Sequence, residues 1–196
     1  NNQEWDRFII TSNVDERTLN EIYFPAFRKA IQEGGAGAVM TACGRLNGLH
    51  CSENPYLLKQ TLRDDWGFDG VSMCDWQTMF STLNGIMGGN DIEMPQAYVH
   101  DYNRVKRLID IGVLNMKDID EKCQNVLQTL IAFGLLDRPL KDETIPFDNP
   151  QCHQWAYESA VGGPVLVKNN GILPIKKSSR NKILMTGPYA DEMVAG

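Results

Sequence analysis

The chain has 196 residues, 42% hydrophobic and 22% charged, which is enough apolar material for a real core. Its net charge of −6, with no block of one sign, argues against nucleic-acid binding. No apolar run nears the roughly 18 residues that would span a bilayer, which argues against a membrane segment.

The opening Asn1-Asn2-Gln3-Glu4 carries neither an initiator Met nor a leader and reads as the start of a fragment. Val14-Asp15-Glu16-Arg17 opens a helical pattern, continued by Leu19, Tyr23, Phe27, Ala30 and Ile31. Pro25 either kinks this helix or starts a second one, and Gly34-Gly35 ends it. Ala36 to Ala42 reads as a small buried strand, and Asn47-Gly48 as the entry to a loop. A short helix follows Glu53-Asn54-Pro55, running through Leu57, Leu58 and Leu62 to Trp66, and closed by Gly67. Val71 to Cys74 is a second strand, followed by a helix through Met79, Leu83 and Ile86. Asn90 to Met94 is a third, short strand, stopped by Pro95. Two amphipathic helices come next, Tyr102 to Ile111 and Met116 to Phe133, the second stopped by Gly134.

Alternating strands and helices with short connections predict parallel βα units. Three such units cannot close an eight-stranded barrel, which takes about 250 residues. The fold class is therefore α/β, as a small open sheet or the last part of a barrel. From Asp137 to Pro150 the chain is polar and proline-punctuated, which reads as a linker. Beyond it the pattern predicts a short helix (Cys152 to Val161), a strand (Pro164 to Lys168), a turn at Asn170-Gly171 and a strand at Lys182 to Thr186. This reads as the opening of another α/β domain.

Candidate chemistry concentrates at Asp75 and Trp76. An acid directly after a core strand points out of that strand's carboxyl end, where parallel α/β folds bind ligands. Position alone equally allows Asp75 to be an N-cap of the following helix. Trp76 offers a flat apolar face of the kind that packs on a pyranose ring. Asp91 and Glu93 either share a site with Asp75 or pair with cations and cap the next element. Gly34 to Gly37 and Gly85 to Asn90 lack the context of a phosphate-binding loop and read as tight turns. There is no Gly-x-Ser-x-Gly elbow. Five cysteines at irregular spacing are not a disulfide framework, and Cys43 and Cys51 are either a local staple or free thiols. Scattered histidines and the absence of Cys-x-x-Cys argue against a metal site, and nothing calls for a cofactor.

The order of motifs resembles glycoside hydrolase family 3, in its two-domain β-glucosidase form. The resemblance rests on Val39-Met40-Thr41-Ala42-Cys43-Gly44-Arg45-Leu46-Asn47-Gly48, then Glu53-Asn54-Pro55 and Leu57-Leu58. Leu62-Arg63-Asp64-Asp65-Trp66-Gly67-Phe68-Asp69-Gly70, Cys74-Asp75-Trp76 and Gly89-Asn90-Asp91-Ile92-Glu93-Met94-Pro95 follow. Val165 to Ile175 and Gly187-Pro188-Tyr189-Ala190-Asp191 resemble the entry into the family's second domain.

The resemblance implies the last part of a (β/α)8 TIM-type barrel over 1–136, an interdomain linker over 137–161 and the start of an α/β sandwich domain over 162–196. It implies release of terminal β-D-glucosyl residues from a β-glucoside or oligosaccharide by a retaining double displacement. Asp75 matches the nucleophile; Trp76, Met40 and Cys43 match residues that line the sugar pocket. The acid/base carboxyl, expected about 5–5.5 Å from the nucleophile in a retaining site, would lie beyond Gly196. A secreted or periplasmic location and a need for the rest of the parent chain follow from the same likeness. Cys43 stands where the family commonly has a Tyr whose hydroxyl orients the nucleophile, and a thiol is a shorter, poorer donor. A β-xylosidase, a β-N-acetylglucosaminidase or a non-catalytic sugar-binding relative are the alternative readings.

Overall fold

A computed structural model describes residues 4–146, 148–176, 182, 184–187 and 190. It divides into two units, 1–141 and 142–196. In the first, Asp15 caps the opening helix by accepting the Thr18 N–H. The helix runs as α1 (Glu16–Thr18), a π-helical turn (Leu19–Tyr23) and α2 (Phe24–Gln32), with Pro25 in the first turn of α2. Pro25 thus restarts the helix where its missing N–H costs least.

Two small sheets follow. In one, β1 (Thr11–Ser12) lies parallel to β3 (Arg45–Leu46), which pairs antiparallel with β4 (Leu49–His50). Asn47 and Gly48 have φ of 51° and 89°, so the expected loop is a two-residue hairpin turn of the Asn-Gly kind. The Asn47 amide also bonds both the N–H and the carbonyl of Val14, which ties the hairpin to the segment between β1 and α1.

In the other sheet, β2 (Ala38–Met40) is parallel to β5 (Val71–Met73), with Met40 opposite Met73. Beyond β5 the expected third strand is reduced to one parallel bridge, Met73 with Ile92. Just past the bridge, the Glu93 side chain accepts the N–H groups of Tyr98, Val99 and His100. β5 is flanked on both sides, and Val71 and Ser72 are buried. β2 is an edge among the described residues, so Ala38 and Met40 are exposed and the expectation of a buried strand is corrected. A parallel sheet is normally covered on both faces.

Helical packing supports this sheet. A π-helix (Tyr56–Asp65) buries Leu58 and Leu62 against Phe68 and Val39. Each such leucine contributes about 2 kcal/mol. Phe24 meets Trp66 edge to face at 5.3 Å. The helix expected through Met79 starts later: α3 is Thr82–Gly88, and Ser81 caps it by accepting the Asn84 N–H. Gly85 to Asn90 is therefore mostly helix rather than a tight turn. Gly88 is required because a Cβ there would lie 2.7 Å from the backbone of Glu53. The two amphipathic helices form as α4 (Tyr102–Asp110) and α5 (Met116–Ala132), the latter opened by an Asn115–Asp118 capping box. No described helix is long and apolar enough to cross a membrane.

In the second unit, α6 (Pro150–Gly162) is capped by Asn149. Pro164 to Lys168 forms no strand, because nothing pairs with it among the described residues. The turn at Asn170-Gly171 is present, held by Asn169 bonds to Gly171 and Leu173. The expected strand at Lys182 to Thr186 and the Gly187 to Asp191 motif fall partly outside the described residues.

Candidate active site

The carboxyl ends of β2 and β5 bring the four sequence-predicted residues together. Met40 ends β2 beside Met73, and the register continues through the Thr41 N–H to the Met73 carbonyl. Cys43 follows in the loop leaving β2. Asp75 and Trp76 stand just past β5. Asp75 does not cap α3, since Ser81 does, so the capping alternative is closed.

Both carboxylate oxygens of Asp75 are bonded. Oδ1 accepts the Trp76 N–H at 2.6 Å, and Oδ2 accepts the Cys43 thiol at 2.8 Å. The Cys43 bond, followed by the Trp76 N–H and the Arg7 charge, outweighs desolvation and holds the Asp75 carboxyl below the ordinary 3.8. The Cys43 thiol moves the other way. Partial burial, the bond to Asp75 and the charge of Asp75 push it up to about 11, with Arg7 opposing and Glu4 adding. Cys43 and Cys51 are free thiols, not a staple. The result at neutral pH is an ionised carboxylate beside a protonated thiol.

Trp76 is 65% exposed and Met40 60%, so the indole and thioether offer apolar surface to solvent instead of filling the core. Arg7, which pairs with Glu4 at 3.0 Å, was missed in the sequence. It belongs to no periodic pattern, and only folding places its charge within reach of Asp75.

Asp91 and Glu93 serve elsewhere. The Asp91 side chain is fully buried and pairs with Arg63 at 2.7 Å. It also accepts from the Ser72 N–H, the Ser72 hydroxyl and the Asn125 amide, with Lys122 at 3.9 Å. Glu93, also buried, gathers the backbone of 98–100. Neither shares a site with Asp75. The reason is geometric: the Asp91 carboxylate is held by Arg63, by Ser72 of β5 and by Asn125 of α5, with a donor on each oxygen.

A cavity of about 490 Å³ lies at the opposite end of the strands, lined by Gly37, Phe68, Gly70 and Phe133. Gly37 and Gly70 precede β2 and β5, so this space is at their amino ends and away from Asp75.

The family model described as "Glycosyl hydrolase family 3 N terminal domain" matches residues 9–129. A "Beta-glucosidase" of Rhizobium radiobacter is 36% identical over 97% of this chain, which covers 23% of that protein. An "Exo-alpha-(1->6)-L-arabinopyranosidase" of Bifidobacterium longum is 29% identical over 97% of this chain and 26% of its own length. Among solved structures, a GH3 β-glucosidase of Bifidobacterium adolescentis superposes with a TM-score of 0.72 at 30% identity, over 89% of this chain and 25% of that one. β-Glucosidase 3B of Thermotoga neapolitana in complex with glucose gives a TM-score of 0.69 at 30% identity, over 88% and 25%. The chain thus spans about a quarter of the proteins it matches.

Proposed function

Because the chain belongs to glycoside hydrolase family 3, whose N-terminal domain is of TIM-barrel type, we propose that it carries the nucleophile side of a retaining β-glucosidase site within a longer protein. The observation that carries this reading is Asp75: an ionised carboxylate at the carboxyl end of a flanked parallel strand, with an exposed indole next to it.

In this reading Asp75 attacks the anomeric carbon of a terminal β-glucosyl residue. The C–O bond to the leaving group breaks as a carboxyl acid outside this chain protonates that oxygen. The transition state is oxocarbenium-like and the product is a glycosyl ester on Asp75. Water, deprotonated by the same outside carboxylate, then cleaves the ester and frees both the sugar and Asp75. Trp76 and Met40 supply apolar surface to the sugar ring. The low carboxyl pKa keeps Asp75 charged, as attack requires.

The same reading takes 1–136 as the last part of the barrel, 137–161 as linker and 162–196 as the start of the second domain. The exposed edge of β2 supports it, since an upstream barrel strand would pair there. The chain on its own is expected to be inactive and prone to associate through that edge.

Mechanism-based labelling of the longer protein with a 2-fluoro-β-glucoside tests the assignment. The covalent adduct should be found on Asp75 after proteolysis and mass spectrometry. An adduct on any other residue defeats it. Parallel assays with nitrophenyl glucoside, xyloside, N-acetylglucosaminide and arabinopyranoside decide the sugar.

A further inference from the structure

We propose that Cys43 is a positioning residue for Asp75: its thiol ties the Oδ2 oxygen, and so the plane of the carboxylate, to the loop leaving the neighbouring strand. The proposal rests on the reading of Asp75 as the nucleophile.

The geometry carries it. The Trp76 N–H on Oδ1 comes from the adjacent residue and moves with Asp75 itself. The Cys43 thiol comes from a separate element, 32 positions away, and binds the other oxygen at 2.8 Å. With a donor on each oxygen, rotation of the carboxylate breaks at least one bond. The remaining lone pairs stay free to meet an anomeric carbon. The parallel register of β2 and β5 sets the separation of the two loops, so a side chain as short as cysteine reaches.

A thiol can do this only while protonated, because a thiolate would repel the carboxylate. The charged groups facing the pair are Arg7 and Glu4 from the amino-terminal turn, together with Asp75 itself. Their balance and the partial burial keep the thiol a donor throughout neutral pH. The same protonation makes Cys43 a slow nucleophile toward electrophiles, since the thiolate is the reactive form.

The test uses the full-length parent and two readouts. In Cys43→Ala, kcat should fall roughly threefold to tenfold, below the range for an ordinary hydrogen bond to a charged group because a thiol is a weak donor. KM should change less than kcat. The acid limb of kcat/KM should move to higher pH, because Asp75 loses the strongest influence lowering its pKa. Cys43→Ser, which keeps a donor, should restore the acid limb. The second readout needs no turnover: iodoacetamide capture of Cys43 against pH, followed by peptide mass spectrometry. In Asp75→Asn its midpoint should drop from about 11 toward 9. An unchanged acid limb and kcat in Cys43→Ala, or an unchanged capture profile in Asp75→Asn, overturns the proposal. A wild-type parent that hydrolyses no nitrophenyl glycoside defeats the nucleophile reading instead, and the capture profile then judges the hydrogen bond by itself.

Discussion

Replacing Asp91 by Ala should unfold the protein far more readily than any change at the candidate nucleophile. The Asp91 carboxylate is wholly buried and is the shared acceptor of Arg63, the Ser72 N–H and hydroxyl, and Asn125, with Lys122 close by. Alanine removes all of these at once. It leaves the Arg63 side chain, 15% exposed, and Lys122, 8% exposed, without their common anion. It also strips the Ser72 N–H, so β5 loses an anchor in its middle. Removing one partner of a buried ion pair costs about 3–5 kcal/mol, mostly through the charge left behind. At about 2–4 °C per kcal/mol for a domain of 150–250 residues, the melting midpoint should fall by about 6–20 °C. Differential scanning calorimetry of the parent, wild type against Asp91→Ala, reads this directly. A midpoint within about 2 °C of wild type would show that the network contributes nothing and would refute the reasoning.

Asp75→Asn should lower kcat by roughly 10⁴-fold or more while leaving the melting midpoint almost unchanged, since the residue anchors no core element. Turnover near the wild-type rate would remove Asp75 from the chemistry. Trp76→Ala should raise KM for a nitrophenyl glucoside on the order of tenfold with stability within about 0.5 kcal/mol, because its indole is largely in solvent. A large loss of stability with unaltered KM would make it a core residue after all. Gly88→Ala should destabilise by about 1–3 kcal/mol, measured by urea unfolding, because the new methyl meets the Glu53 backbone, which cannot rotate away. The pKa values of His50 and His100 are lowered, above all by burial. The unfolded chain therefore binds their protons more readily than the folded one. Stability is full above the ordinary 6.5 and declines as pH falls through it toward the lower folded values. A urea-midpoint series from pH 7.5 to 5 should slope downward and flatten when both histidines become glutamine. An equal slope in that variant would exclude them as its source.

Much of the chain was legible because its signals are local. Asp15, Ser81, Asn115 and Asn149 cap helices with their own side chains, so the helix starts are written within a few residues of where they occur. Gly67 and Gly134 adopt positive φ at helix ends, as their positions suggested. Elements that depend on a distant partner were read less well. Asn90 to Met94 has a strand's composition but yields one bridge, to Met73, because a ladder needs a partner's backbone as well as its own residues. Ala36 to Ala42 looks buried by hydrophobicity, yet β2 lies at an edge.

The same division holds at the site. The sequence by itself determined that an acid followed by an indole comes directly after a short apolar run. Ser81 takes the cap of α3 through its own neighbour Asn84, and what Asp75 meets instead, the Cys43 thiol 32 positions away, was decided by the fold. The separation of roles among three nearby acids was likewise tertiary. Asp91 is enclosed by Arg63, Ser72 and Asn125 from three separate segments, while Asp75 is left with two donors and an open side. Local chemistry says which groups are present along the chain. Only the fold brings Cys43 and Arg7 to Asp75, because a carboxylate's charge and aim depend on neighbours that sequence distance conceals.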